Sequence, residues 1–158
     1  MFKAQDIMTK DPVVISPQAR ITDAAGVLLE HKFNGLPVVD DRGQLLGIIS
    51  QDDLIFQQKK IPVPSFFTVL DGTISLFSEK KIQQEIEKIA ATTVAEAMTP
   101  DPVTITPETS VEDIATLMVR KNIHTLPVVD GDRLVGIVGK EDILKTLMGN
   151  GDQDIQKS

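Results

Sequence analysis

The chain has 158 residues, 41% hydrophobic and 25% charged, and 16 Lys and Arg against 23 Asp and Glu give it a formal charge of −7. This composition implies a globular unit of ordinary size, too acidic for broad phosphate neutralisation on nucleic acid, and the absence of cysteine excludes disulfides, thiolate zinc sites and a cysteine nucleophile. The N-terminal MFKAQDIMTKDP lacks the parts of a secretory signal and no run approaches the roughly 18 apolar residues of a membrane span, so the expectation is a cytoplasmic protein away from membranes.

In chain order, Val13-Val14-Ile15 is a β-branched run ended by Pro17, which predicts a short strand. Ile21, Ala24, Ala25 and Leu28 follow at i, i+3, i+4 and i+7, the spacing of one buried helical face. Leu36-Pro-Val-Val-Asp40, an Asp-Arg-Gly turn and Leu45-Leu-Gly-Ile-Ile49 then predict a hairpin of two mostly buried strands, and a helix begins near Gln51. Residues 57–93 hold Phe66, Phe67 and Phe77 near Ile61-Pro62-Val63-Pro64, where two prolines forbid a regular helix. A one-sided helix through Ile82, Ile86, Ile89 and Ala90 comes next. Two readings of this insert stand: a cover for apolar surface on the paired units or at a subunit contact, and a movable lid over a ligand.

The rest of the chain is the first part written again. Met8 to Asp40 lies over Met98 to Asp130 with 14 of 33 positions identical, and after one residue is dropped in the turn Leu45 to Leu54 lies over Leu134 to Ile143. The units are residues 4–56 and 94–148, with a polar tail at 149–158 that is expected to be flexible. Each unit is near 50 residues, small for a secure core of its own, so a shared core is expected.

The doubled order of MT-x-DPV-x-I-x-P, LPVVD and G-I-x-x-x-x-D resembles the cystathionine β-synthase domain, whose copies occur in tandem as a Bateman module. The resemblance implies an α+β fold: two pseudo-twofold-related βαββα repeats in one disc, with two clefts between them. It further implies a non-catalytic, energy-sensing regulator that takes an adenosine derivative (AMP, ADP, ATP or S-adenosylmethionine) and passes occupancy to a partner protein. A homodimer is implied too, through the helices at 20–31 and 51–58 and their repeats. No metal or cofactor is implied beyond the regulatory nucleotide.

In Gly47-Ile-Ile-Ser50-Gln-Asp-Asp53 a buried strand runs directly into a helix, with Ser50 at the helix mouth and Asp53 one turn in. Free N–H groups and the positive helix end suit a phosphate, a serine hydroxyl adds a hydrogen bond, and a carboxylate can accept both hydroxyls of a ribose. Ser-x-x-Asp is equally close to a capping box. The second copy carries Gly139 in place of the serine yet keeps Asp142, which a purely structural box explains poorly. It also makes the clefts unequal, with the first expected to bind phosphorylated ligands better.

By the family pattern each cleft takes its other wall from the partner copy. The resemblance thereby nominates Ser50, Asp53, Thr99, Val103, His124 and Thr125 for the first cleft, where Arg120 and Lys121 add positive charge. For the weaker second cleft it nominates Thr9, Val13, Asn34, Gly35 and Asp142. Other polar residues have local explanations. His31 suits the C-terminus of its helix, which Asn34 or Gly35 can close; Arg42 and Arg133 are solvated turn residues; Asp40 and Asp130 begin turns; Asp11 and Asp101 precede prolines as turn formers. Rival functions are a ligand-free dimerisation scaffold and an enzyme using His124 with Asp52 or Asp53 as an acid–base pair, although no phosphate loop, nucleophile elbow or metal-binding helix accompanies that pair.

Overall fold

Each repeat opens on a short helix and strand that cross to the other repeat. α1 (Ala4–Ile7) and β1 (Thr9–Lys10) precede α2 (Ile21–His31), the hairpin β2 (Gly35–Val39) and β3 (Leu45–Ser50), and α3 (Gln51–Gln58). The series recurs as α4 (Val94–Ala97), β4 (Thr99–Pro100), α5 (Val111–Lys121), β5 (Thr125–Asp130), β6 (Arg133–Gly139) and α6 (Lys140–Lys157). The computed structural model describes residues 2–58, 83, 84, 87 and 90–157. The Phe- and Pro-rich part of the insert, and Ile82, Ile86 and Ile89 of its expected helix, lie outside the described residues.

β4 pairs with β3, Thr99 opposite Ile48, and β1 pairs with β6, Thr9 opposite Ile137. Each three-stranded antiparallel sheet, β2-β3-β4 or β1-β6-β5, therefore borrows one strand from the other copy. Mid-strand glycine permits the approach. A Cβ on Gly47 would stand 2.6 Å from the Thr99 carbonyl oxygen, and one on Gly136 would stand 2.5 Å from Met8 Sδ and 3.1 Å from the Thr9 carbonyl oxygen. At the far end the two hairpin turns meet, with the Leu45 amide donating to the Asp132 carbonyl at 3.1 Å and the Leu134 amide to the Gly43 carbonyl at 3.2 Å.

The expected sharing takes the form of two clusters, each holding residues of both copies. Ile21, Leu28, Leu36, Val38 and Ile49 of the first repeat are closed over by Val94 and Ala97 of α4, while Ile105, Ile114, Leu126, Val128 and Val138 of the second are closed over by Ala4 of α1. The crossing helices are fastened by backbone bonds, Val94 N–H to the Ala19 carbonyl at 2.7 Å and Ala4 N–H to the Thr109 carbonyl at 2.8 Å. Full burial of one such aliphatic side chain contributes about 1.5–3 kcal/mol, so neither half is complete without the other's leading segment.

Several local expectations change. Val13-Val14-Ile15 and Val103-Thr104-Ile105 do not form strands; each touches its hairpin through a single parallel bridge, Ile15 to Val38 and Ile105 to Val128. Flanking prolines 12, 17, 102 and 107 lack the N–H that a longer ladder needs. α2 closes on Lys32, at φ 58°, and not on Asn34 or Gly35, because Gly35 already belongs to β2; Asn122, at φ 51°, closes α5. Asp11 and Asp101 are left-handed as well, at φ 50° and 47°, which suits short polar turn residues. The backbone of α6 runs as helix to Lys157, since no proline stops it and each glycine costs only about 1 kcal/mol.

Candidate functional site: two clefts along the seam

β3 passes into α3 without a loop, so Ser50 ends the strand and Gln51 starts the helix. Because β4 is paired to β3, the start of the second repeat stands beside that helix mouth. The result is a first cleft of about 500 Å³. Ser50, Thr99, Val103, His124 and Thr125 all lie on its wall, with Lys121 beside them.

Asp53, the residue nominated to accept the ribose, is not on that wall; its neighbour Asp52 is. The cause is a reciprocal cap. Asp53 Oδ2 accepts from the Ser50 amide at 2.9 Å and the Ser50 hydroxyl at 3.0 Å, and the same hydroxyl accepts from the Asp53 amide at 3.2 Å. Oδ1 accepts from the Thr99 hydroxyl at 3.2 Å, a bond across the repeat boundary. The half-buried carboxylate is thus turned back onto its own helix end and bonded by Thr99 of the crossing strand. His124 and Asp53 consequently do not face a common space on this wall, as an acid–base pair would.

The second cleft, about 310 Å³, is formed by the same rules with the copies exchanged. Thr9, Val13, Asn34, Gly35 and Asp142 are all on its wall. Gly139 offers no hydroxyl, so Asp142 Oδ2 accepts only the Gly139 amide, at 2.8 Å, and Oδ1 accepts no hydrogen bond among the described residues. A Cβ on Gly139 would find its nearest neighbour at 3.8 Å, so glycine is not forced there by crowding.

Lys32, Lys140 and Lys145 line this second wall beside Asp11, Glu141 and Asp142, and sequence reasoning missed all three lysines. A signal existed for Lys140: it occupies the first helical position of α6, where the first repeat has Gln51, and a cation is uncommon at the positive end of a helix dipole. Asn34, Gly35, Thr125 and Lys140 line both clefts, so Thr125 is not confined to the first nor Asn34 and Gly35 to the second. His31 stacks on Phe33 with ring centroids 5.0 Å apart, a packing contact at the end of α2.

The chain belongs to the CBS domain family, whose model matches residues 4–60 and 94–149. It is 32% identical over 140 residues to the CBS domain-containing protein CBSX2 of Arabidopsis thaliana, covering 85% of this chain and 58% of the relative. It is 29% identical over 150 residues to the CBS domain-containing protein YhcV of Bacillus subtilis, covering 95% and 89%. The chain therefore spans little more than half of CBSX2 but most of YhcV. The fold superimposes on CBSX2 in complex with AMP at a TM-score of 0.73 and 27% identity, over 96% of this chain and 99% of that one. It superimposes on the CBS domain pair of MJ0100 in complex with 5′-methylthioadenosine and S-adenosyl-L-methionine at 0.67 and 30% identity, over 95% and 98%. Among the described residues no helix is long and apolar enough to cross a membrane.

Proposed function

We propose that this chain is a non-catalytic regulatory module that binds adenosine-containing ligands along the seam between its repeats and passes occupancy to a partner protein. The observation that carries this reading is a pair of open clefts, each walled by both repeats and each bordered by the first turn of a helix that holds an aspartate. A ligand there touches both halves at once, which is how binding free energy can favour one relative arrangement over another. The complexes of CBSX2 with AMP and of the MJ0100 pair with two adenosine derivatives support adenosine as the common element. In the second cleft Asp142 accepts the ribose hydroxyls; in the first, Asp53 can do so only by giving up Ser50 or Thr99. A tenfold preference for one arrangement supplies about 1.4 kcal/mol, against about 5.5 kcal/mol for a complete switch, so the module modulates its partner.

The outer helices support a homodimer. Leu29 of α2 and Ile55 of α3 are 76% and 62% exposed, and their repeat equivalents Val119 and Leu144 are 82% and 56% exposed. Four aliphatic side chains open to water on matching helices are a surface that a second copy would cover. Leu29→Lys with Val119→Lys should convert a sedimenting dimer to a monomer without loss of the fold.

The same apolar helices favour a second reading, a ligand-free scaffold, and one experiment separates the two. Small molecules released from the purified, denatured protein are identified by mass spectrometry, and thermal melting is followed with AMP, ADP, ATP and S-adenosylmethionine. A ligand at about one hundred times its Kd should stabilise the fold by about 2.7 kcal/mol. No adenosine compound recovered and no shift with any of the four would leave the scaffold.

A further inference from the structure

We infer that Lys140 is a shared ammonium that couples the two clefts, so that an anionic ligand in one lowers the affinity of the other for a second anion; this rests on the ligand-binding reading above. Of the four residues common to both walls, Asn34, Gly35, Thr125 and Lys140, only Lys140 carries charge. Gly35 and Thr125 are repeat equivalents, so the shared strip lies where the pseudo-twofold relation brings the two β-hairpins together.

The repeat itself breaks the symmetry at this place. Gln51, the counterpart of Lys140, is neutral and tied down, its Nε2 donating to the Phe33 carbonyl oxygen at 2.7 Å, and it lines the first cleft alone. Lys140 is exposed, and among the described residues the one ion pair is Lys3 with Glu108, so no carboxylate holds the Lys140 ammonium in either direction. Its four-carbon stem is long and freely rotating, and a single ammonium reaches toward one phosphate at a time. The first anion to bind takes it. A second anion then meets a wall short of one positive charge, on a chain whose formal charge is already −7. Each cleft keeps cations of its own, Lys121 in the first beside Asp52, and Lys32 and Lys145 in the second beside Asp11, Glu141 and Asp142, so both can fill and the coupling is partial.

The test uses a pair of repeat-equivalent isoleucines, Ile48 of the first cleft and Ile137 of the second, as methyl NMR reporters. The protein is titrated with AMP and, separately, with uncharged adenosine, and a midpoint is read for each methyl group. Adenosine gives the intrinsic gap between the clefts; AMP should widen it by about fivefold, the size expected of one partly solvated charge contact. Lys140→Gln, which installs the residue of the first repeat, should remove the excess for AMP and leave both adenosine midpoints in place. Equal gaps for AMP and adenosine in the natural protein, or an excess that survives in Lys140→Gln, overturns the coupling while the ligand-binding reading stands. If neither compound moves either isoleucine, both fail together.

Discussion

At the mouth of α3 the carboxylate of Asp53 holds three hydrogen bonds, two from Ser50 and one from Thr99; at the mouth of α6 the equivalent carboxylate of Asp142 holds one, from the Gly139 amide. The sequences around the two, GIISQDDL and GIVGKEDI, keep the glycine, the isoleucine after it and the aspartate, and the strands that cross to meet them are repeats of each other. Two bonds separate them: the Ser50 hydroxyl on Oδ2, which Gly139 cannot supply, and the Thr99 hydroxyl on Oδ1, a bond that among the described residues Thr9 does not make to Asp142. With both bonds the acid completes a helix cap, and with neither its Oδ1 accepts no hydrogen bond among the described residues, on a wall where Lys32, Lys140 and Lys145 stand beside Asp11 and Glu141. One motif can thus be architecture in one copy and a binding group in the other, and the copy that looks less complete on paper is the one with an unengaged acceptor.

The largest effect that would break the comparison falls on the crossing strands that make both clefts possible. Gly47→Ala drives a Cβ against a backbone carbonyl that cannot step aside and should cost about 2–3 kcal/mol in denaturant unfolding, opening the first cleft. Gly136→Ala meets mainly the end of the Met8 side chain, which can turn away, and should cost less. A milder cost at position 47 than at 136 would mean that the two seams are not held as described.

Next in size is the pair of acids. Asp142→Ala should weaken adenosine binding at the second cleft about tenfold or more, since hydrogen bonds to a charged group contribute about 1.5–3 kcal/mol. Asp53→Ala should leave that binding unchanged and instead lower stability by about 1 kcal/mol through loss of the cap. Calorimetric titration and unfolding of both variants read these two columns directly. The comparison is sharpened by exchanging the residues that create it: Ser50→Gly together with Thr99→Val, which leaves Asp53 only the residue-50 amide, should raise first-cleft affinity a few-fold at a cost of about 1 kcal/mol, and Gly139→Ser, which has room, should add a bond to Asp142 Oδ2 and lower second-cleft affinity.

The smallest expected effect concerns an ion pair that only one half possesses. The Lys3 ammonium donates to Glu108 at 2.7 Å, pinning the crossing N-terminal segment, whereas the repeat equivalents are Thr93 and Gln18. The hydrogen bond to Glu108 and then its charge raise the Lys3 pKa above the ordinary 10.5. A group whose pKa is raised on folding adds stability below its unfolded value and loses it as pH climbs through the folded one. Melting followed through strongly alkaline pH should therefore show a slight extra loss that Lys3→Met lacks.

Much of the fold was legible because duplication is a loud signal: fourteen matched positions set the register, and the i, i+3, i+4, i+7 spacing of Ile21, Ala24, Ala25 and Leu28 set α2. The nominated walls also came together, ten of the eleven residues lying on one cleft or both. Asp53 was the exception, because residue spacing gives the position of a carboxylate along a helix but not which donors satisfy it. The three lysines were missed for a related reason. Apart from the cation at the first position of α6, a lysine side chain carries no periodic pattern, and the crossing of β1 and β4 decides which surface lysines border a cleft.

The most direct measurement is a crystal structure grown with a single equivalent of adenosine per chain. Density is expected in the second cleft, with the ribose hydroxyls on Asp142 and the Ser50–Asp53 cap still closed. Adenosine seated in the first cleft on an Asp53 that has released Ser50 and Thr99, with the second cleft empty, would contradict this.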